Sequence, residues 1–150
     1  MLRAIWILGA GVGLVLIGMN GCQSSGTANS VAADFETFSE QVAYGGRVYG
    51  ANCAECHGNA GQGTMEAPRL VGQGALPLRP RRGSDRSTDF RNAMDIAVFV
   101  TQNMPPNKDE RAEMAARDYW AVLAFALSAN GVEREAPVTP ANAESIVLHP

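Results

Sequence analysis

The stretch from Gly50 to Gly63, GANCAECHGNAGQG, brings two thiols and an imidazole within little more than one helical turn: Cys53, Cys56 and His57. Four chemistries use a Cys-x-x-Cys pair: a structural disulfide, a thioredoxin-like redox couple, half of a zinc site, or covalent attachment of haem. A structural zinc site needs four ligands. The chain has no second cysteine pair, and its one other histidine, His149, stands next to the C-terminus. A thioredoxin-like couple needs a strand before it, whereas the flanking segments carry helical periodicity. Cys-x-x-Cys followed directly by His matches the c-type haem attachment signature. Its spacing has a physical basis, because positions i, i+3 and i+4 of a helical turn share a face. Two thiols can then bond the porphyrin edge while the imidazole of His57 reaches the iron.

The elements that must position these groups lie within a chain of 150 residues with formal net charge -3, suited to one small domain and without a basic bias toward nucleic acid. Hydrophobic residues make up 46% of the chain, enough for a compact core, although glycines and prolines cut the apolar segments short. Met1-Leu2-Arg3 and the uncharged run Ala4 to Met19 read as a secretory signal. At about 1.5 Å per residue, that run is short for a hydrocarbon layer of about 30 Å. Cys22 follows just after it, behind Asn20 and Gly21, and precedes the small, polar stretch QSSGTANSVAA, which reads as a flexible tether. This resembles a bacterial lipoprotein signal, in which the cysteine is lipidated and becomes the mature N-terminus. Met19-Asn20-Gly21 supplies the small residue before the cysteine but lacks the usual leucine. An uncleaved anchor, a free thiol and an intermolecular disulfide are the alternatives for Cys22. The expected organisation is a signal peptide over 1–21, a tether over 22–38 and one domain over 39–150.

From about Gln41 to Ser128 the sequence resembles the class I c-type cytochromes, small helical proteins with His/Met-ligated haem. The resemblance implies an all-α cytochrome c fold wrapped around one covalently attached haem c. It pairs Gly45 and Tyr49 of the N-terminal helix with Val122 and Phe125 of the C-terminal helix, where a glycine across from an aromatic permits a close crossing. It also implies that the Pro68 carbonyl accepts the His57 ring N–H, which would fix the tautomer and raise ligand basicity. For the sixth iron ligand the family uses a methionine in a Met-Pro context. Met65 is too close behind His57, Met94 sits inside an apolar helical pattern, and Met114 falls early in the last helix. Met104, in TQNMPPN, follows a helical run and precedes two prolines that favour an extended conformation.

Phe90, Met94, Ala97, Val98 and Thr101 fall near helical spacing, with Thr88 or Asp89 as N-cap. Asn107 and Glu110 read as a capping-box start for the last helix, and Asn130-Gly131 as its stop. Arg79, Arg81, Arg82 and Arg86 crowd one loop, where most read as solvated and one or two as partners of haem propionates. In the tail, Thr139-Pro140 opens a short helix and Ile146 to Leu148 pack back onto the domain.

The functional expectation is reversible one-electron transfer by an exported protein on the periplasmic side of a bacterial membrane, held there by a lipid or signal anchor. Redox proteins are the expected partners, and no small-molecule substrate is expected. Two alternatives stand beside it: the haem-bearing subunit of a membrane oxidoreductase, and a gas-binding or peroxidase-like haem protein if Met104 leaves the iron open.

Overall fold

The computed structural model describes residues 34–84 and 86–149. The signal segment and Cys22 lie outside these residues. Among the described residues the secondary structure is helical, with one isolated antiparallel bridge, Asn92 to Val147, and no strand. None of the described helices is long and apolar enough to cross a membrane.

Helix α1, Phe38–Asn52, starts at a capping box. The Glu40 N–H donates to the Thr37 hydroxyl and the Thr37 N–H to the Glu40 carboxylate, so two donors otherwise left free at the first turn are satisfied. The folded unit extends a little further toward the N-terminus than the tether boundary expected from sequence. Phe35 and Phe38 are both buried, and the Phe38 N–H donates to the Glu135 carbonyl.

The central packing event is the crossing of α1 with the last helix, α5, Ala116–Ala129. A Cβ at Gly45 would lie 1.9 Å from the Ala121 carbonyl oxygen, so the two backbones touch where only glycine fits. The residue across from Gly45 is thus Ala121, with Phe125 beside it, and not Val122 as the resemblance implied. The contact is made by the Ala121 backbone carbonyl, so it is set by how closely the helices approach and not by the side chain at that position. The rings of Tyr49 and Phe125 meet at 5.0 Å.

Between these helices lie α2, Ala54–His57, a single turn; α3, Ala93–Asn103; and α4, Lys108–Glu113. Helix α3 begins later than expected. Its N-cap is Asn92, in a capping box with Asp95, rather than Thr88 or Asp89. The Phe90 N–H is committed to the Leu78 carbonyl and its ring packs against Arg86 and Phe99, so the chain at Phe90 is still a loop segment. Val98, counted on the apolar face, is turned outward at 47% exposure.

The expected single last helix is two. Asn107 does cap α4, but it accepts from the Asp109 N–H, and the chain then breaks at Met114 and Ala115, both extended. Asp118 restarts it by accepting from the Ala115 N–H.

The tail completes the core. Val138, Ala143 and Ile146 join Phe38, Phe90, Ile96, Leu123 and Leu127 in one apolar cluster. A fully buried Gln41 binds both backbone groups of Val138, at 2.7 and 2.8 Å, so burial of the amide leaves neither its donor nor its acceptor unpaired. The short helix expected after Thr139-Pro140 is a 3-10 turn over Ala143–Ser145. Of the segment expected to pack back, Ile146 is buried and Leu148 partly so, while Val147 faces outward.

Candidate haem-binding site

Cys53 sits at the joint between α1 and α2, with its N–H on the Tyr49 carbonyl and its own carbonyl accepting the His57 N–H. Burial pushes its thiol up to about 11, with the nearby Cys56 adding to the shift. It is therefore held as a neutral thiol at ordinary pH. Cys56 is exposed, and the two cysteines are not joined as a disulfide.

His57 is 8% exposed. Its Nδ1 lies 2.7 Å from the Pro68 carbonyl oxygen. A carbonyl can only accept, so Nδ1 carries the proton and Nε2 is left with its lone pair available for a metal. The loop that brings Pro68 there is closed on itself by backbone bonds. Gly63 N–H donates to the His57 carbonyl, and Leu70 and Val71 both donate to the Gly61 carbonyl. Gly63 has φ +82, and a Cβ there would stand 2.6 Å from the Arg69 nitrogen, which is why this turn takes glycine. Tyr49 joins the turn to the helix crossing by donating to the Gly58 carbonyl at 2.6 Å.

Met104 ends α3 as its C-cap in an extended conformation, its N–H bonded to the Val100 carbonyl. It lines a cleft of about 250 Å³ with Phe99, Gln102, Asn103, Pro106 and Arg111. The other described methionines are placed differently. Met65 is fully exposed, Met94 packs against the core, and Met114 is half-buried at the break between α4 and α5.

Several residues around the site gave no signal in the sequence. Tyr119, buried in α5, donates to the Met104 carbonyl at 2.9 Å, and its pKa is raised mainly by burial, with Arg111 lowering it and Cys53 adding a little to the rise. Thr64 donates to the Cys56 carbonyl at 2.6 Å. Asn130, expected only as a helix stop, also donates to the Leu70 carbonyl and accepts from Gly72, which ties the loop to α5. No helical or strand spacing finds such contacts, because each joins residues eight or more positions apart across a turn or between elements. Arg86 departs from the solvated reading of its loop. It is buried, donates to the Pro77 and Leu78 carbonyls and lies 3.8 Å from the Phe90 ring centroid. Arg81 bonds the Gly74 carbonyl, and Arg79 and Arg82 are exposed.

The donor set fits a haem. Among the described residues no three His, Cys, Asp or Glu side chains gather where they could share one ion. Two separate thiols beside an imidazole with a free, oriented Nε2 instead suit a flat group, bonded at its edge and ligated at its centre.

The family model described as "Cytochrome C oxidase, cbb3-type, subunit III" matches residues 40–125. No curated protein gives a significant match. Among solved structures, the sulfane dehydrogenase SoxCD from Paracoccus pantotrophus is similar, at 29% identity and a TM-score of 0.54, over 71% of this chain. The match covers 52% of that chain, so this protein spans about half its length. With the family match spanning more than half of its residues, the chain belongs to the cytochrome c family of cbb3-type subunit III: it is a class I c-type cytochrome with the cytochrome c fold, and its chemistry is haem electron transfer.

Proposed function

We propose that the protein carries single electrons between redox proteins at a membrane surface, using one haem c bonded through Cys53 and Cys56 and ligated by His57 and Met104. The observation that carries this reading is the His57–Pro68 bond, which leaves Nε2 as an oriented ligand beside two unpaired thiols. When bound, the haem supplies the Fe(II)/Fe(III) couple, and a thioether ligand raises its potential. The chain's own residues do the rest. Cys53 and Cys56 would hold the macrocycle through thioether bonds at its edge, and the Pro68 carbonyl holds the Nδ1 proton so that the His57 ring keeps its orientation. Met104 would complete the ligand set and keep water and other small ligands off the iron.

In this proposal Cys22 is the lipid-bearing N-terminus, residues up to Gly21 are removed, and the domain works on the periplasmic side of a bacterial membrane. The matching descriptions favour a second reading within the same chemistry, the haem subunit of a membrane oxidoreductase, since one names an oxidase subunit and the other a dehydrogenase.

Carbon monoxide added to the reduced protein tests the carrier reading. A methionine-capped iron binds it poorly, whereas ready binding would replace the carrier by a gas-binding or peroxidase-like protein. Gentle solubilisation of native membranes separates the first two readings: a free carrier elutes alone, and a subunit elutes with its catalytic partner. For the anchor, an intact mass that begins at an unmodified Met1 would reject lipidation of Cys22.

A further inference from the structure

The turn that presents Met104 has an unusual shortage of donors. Pro105 and Pro106 have no N–H, and the Met104 N–H is already spent on the Val100 carbonyl. Three successive carbonyls, those of Met104, Pro105 and Pro106, are instead taken by two side chains. The Tyr119 hydroxyl donates to Met104 at 2.9 Å, and the Arg111 guanidinium donates to Pro105 and, at 3.3 Å, to Pro106. Tyr119 also lies 3.2 Å from the Arg111 carbonyl. A phenol has one hydrogen, so the shorter contact, to Met104, is its main bond.

We infer that Tyr119 and Arg111 are positioning residues, a side-chain brace that sets how firmly Met104 caps the haem iron. This rests on Met104 being the sixth ligand. Three features support the inference. The two donors come from different helices, α4 and α5, and reach the same turn because the chain breaks between them at Met114 and Ala115. Arg111 is half-buried and lines the same cleft as Met104, with its guanidinium on two successive carbonyls of the turn. The Tyr119 ring is buried at 8% exposure, which fixes where its hydroxyl can point. Without the brace, the turn is held at its start by one backbone bond and by the stiffness of two prolines, and Met104 can swing out more readily.

The test uses the full haem-loaded protein and ferric imidazole binding, together with the thioether-to-iron charge-transfer absorption and thermal unfolding. Tyr119→Phe keeps the ring and removes one neutral hydrogen bond, and should tighten imidazole binding by about fivefold. Arg111→Met removes a charge-assisted pair and should tighten it by about tenfold or more, with Arg111→Lys between Arg111→Met and the parent. The charge-transfer absorption should weaken in the same order. Met104→Ala is the reference for a fully open site. If it binds imidazole far more tightly than the parent while Tyr119→Phe and Arg111→Met match the parent, the brace is wrong and the ligand assignment stands. A Tyr119→Phe or Arg111→Met variant that melts earlier with unchanged imidazole binding is equally an overturning result, since that is a structural role alone. If Met104→Ala itself changes nothing, the ligand assignment fails and takes the brace with it. Should Tyr119→Phe fail to fold, Arg111→Met on its partly exposed helix still decides the matter.

Discussion

The two ends of the candidate site differ in how much of the work the backbone does. On the His57 side, a glycine-rich loop is closed by its own backbone, Gly63 to His57 and Leu70 and Val71 to Gly61, with Tyr49, Thr64 and Asn130 adding side-chain bonds around it. On the Met104 side the backbone has few donors to offer, and the turn is held by the side chains of Tyr119 and Arg111. A turn made of backbone bonds tolerates changes of side chain but not of backbone conformation. A turn made of side-chain bonds behaves the other way, and each of its donors can be removed by one substitution.

The largest effect expected on this comparison comes from the cysteines that serve both ends. Replacing Cys53 and Cys56 together by Ala should abolish covalent haem, read as complete loss of colour from the protein after acid-solvent extraction, while either single change should weaken attachment. Next comes Met104→Ala. It should keep the covalent haem, admit carbon monoxide to the reduced iron and lower the reduction potential, because a soft thioether favours ferrous iron. The same substitution at half-buried Met94 should cost about 1–2 kcal/mol of stability by lost packing, less than for a fully buried methionine, and leave carbon monoxide binding as it was.

Two changes on the His57 side sharpen the contrast. Gly63→Ala forces an L side chain into φ +82 and against the Arg69 backbone at 2.6 Å. It should lower stability by about 1–3 kcal/mol in thermal unfolding. Pro68→Ala should have the smallest effect of all, about 1 kcal/mol or less, through the flexibility of the unfolded chain. The acceptor for His57 is a backbone carbonyl that alanine also supplies, so the visible spectrum of the haem should not move. A large spectral change in Pro68→Ala would mean that the proline ring, and not only its carbonyl, sets the geometry of His57.

How much of this was legible in the sequence follows the same division. The Cys-x-x-Cys-His motif and the glycine-rich loop after it are local patterns with local causes, while the contact of Gly45 and Tyr49 with the last helix came from the family resemblance and was right for Phe125 but not for Val122. Thr88 and Asp89 misled as helix caps because a tertiary bond, Phe90 to Leu78, held the chain extended beyond them. The single last helix misled because its apolar spacing runs across Met114 and Ala115 without a proline or glycine to mark the break. Arg86 could not be told from the other three loop arginines, read as solvated or as propionate partners, because nothing in its neighbours announces that Pro77 and Leu78 turn their carbonyls toward it.

The sequence alone therefore placed two thiols and an imidazole together: the order Cys-x-x-Cys-His is short enough that one helical turn sets its geometry. Helical spacing made the fold legible as helical, and the resemblance to class I c-type cytochromes pointed to a crossing at Gly45. Only the tertiary structure decided what surrounds the motif. It set the Ala121 face of the crossing, the tail that closes the core through Gln41 and Val138, and the approach of Tyr119 and Arg111 to the Met104 turn. Those contacts join residues up to 97 positions apart. Side chains so distant meet only once the helices have packed, and no local spacing records which of them will.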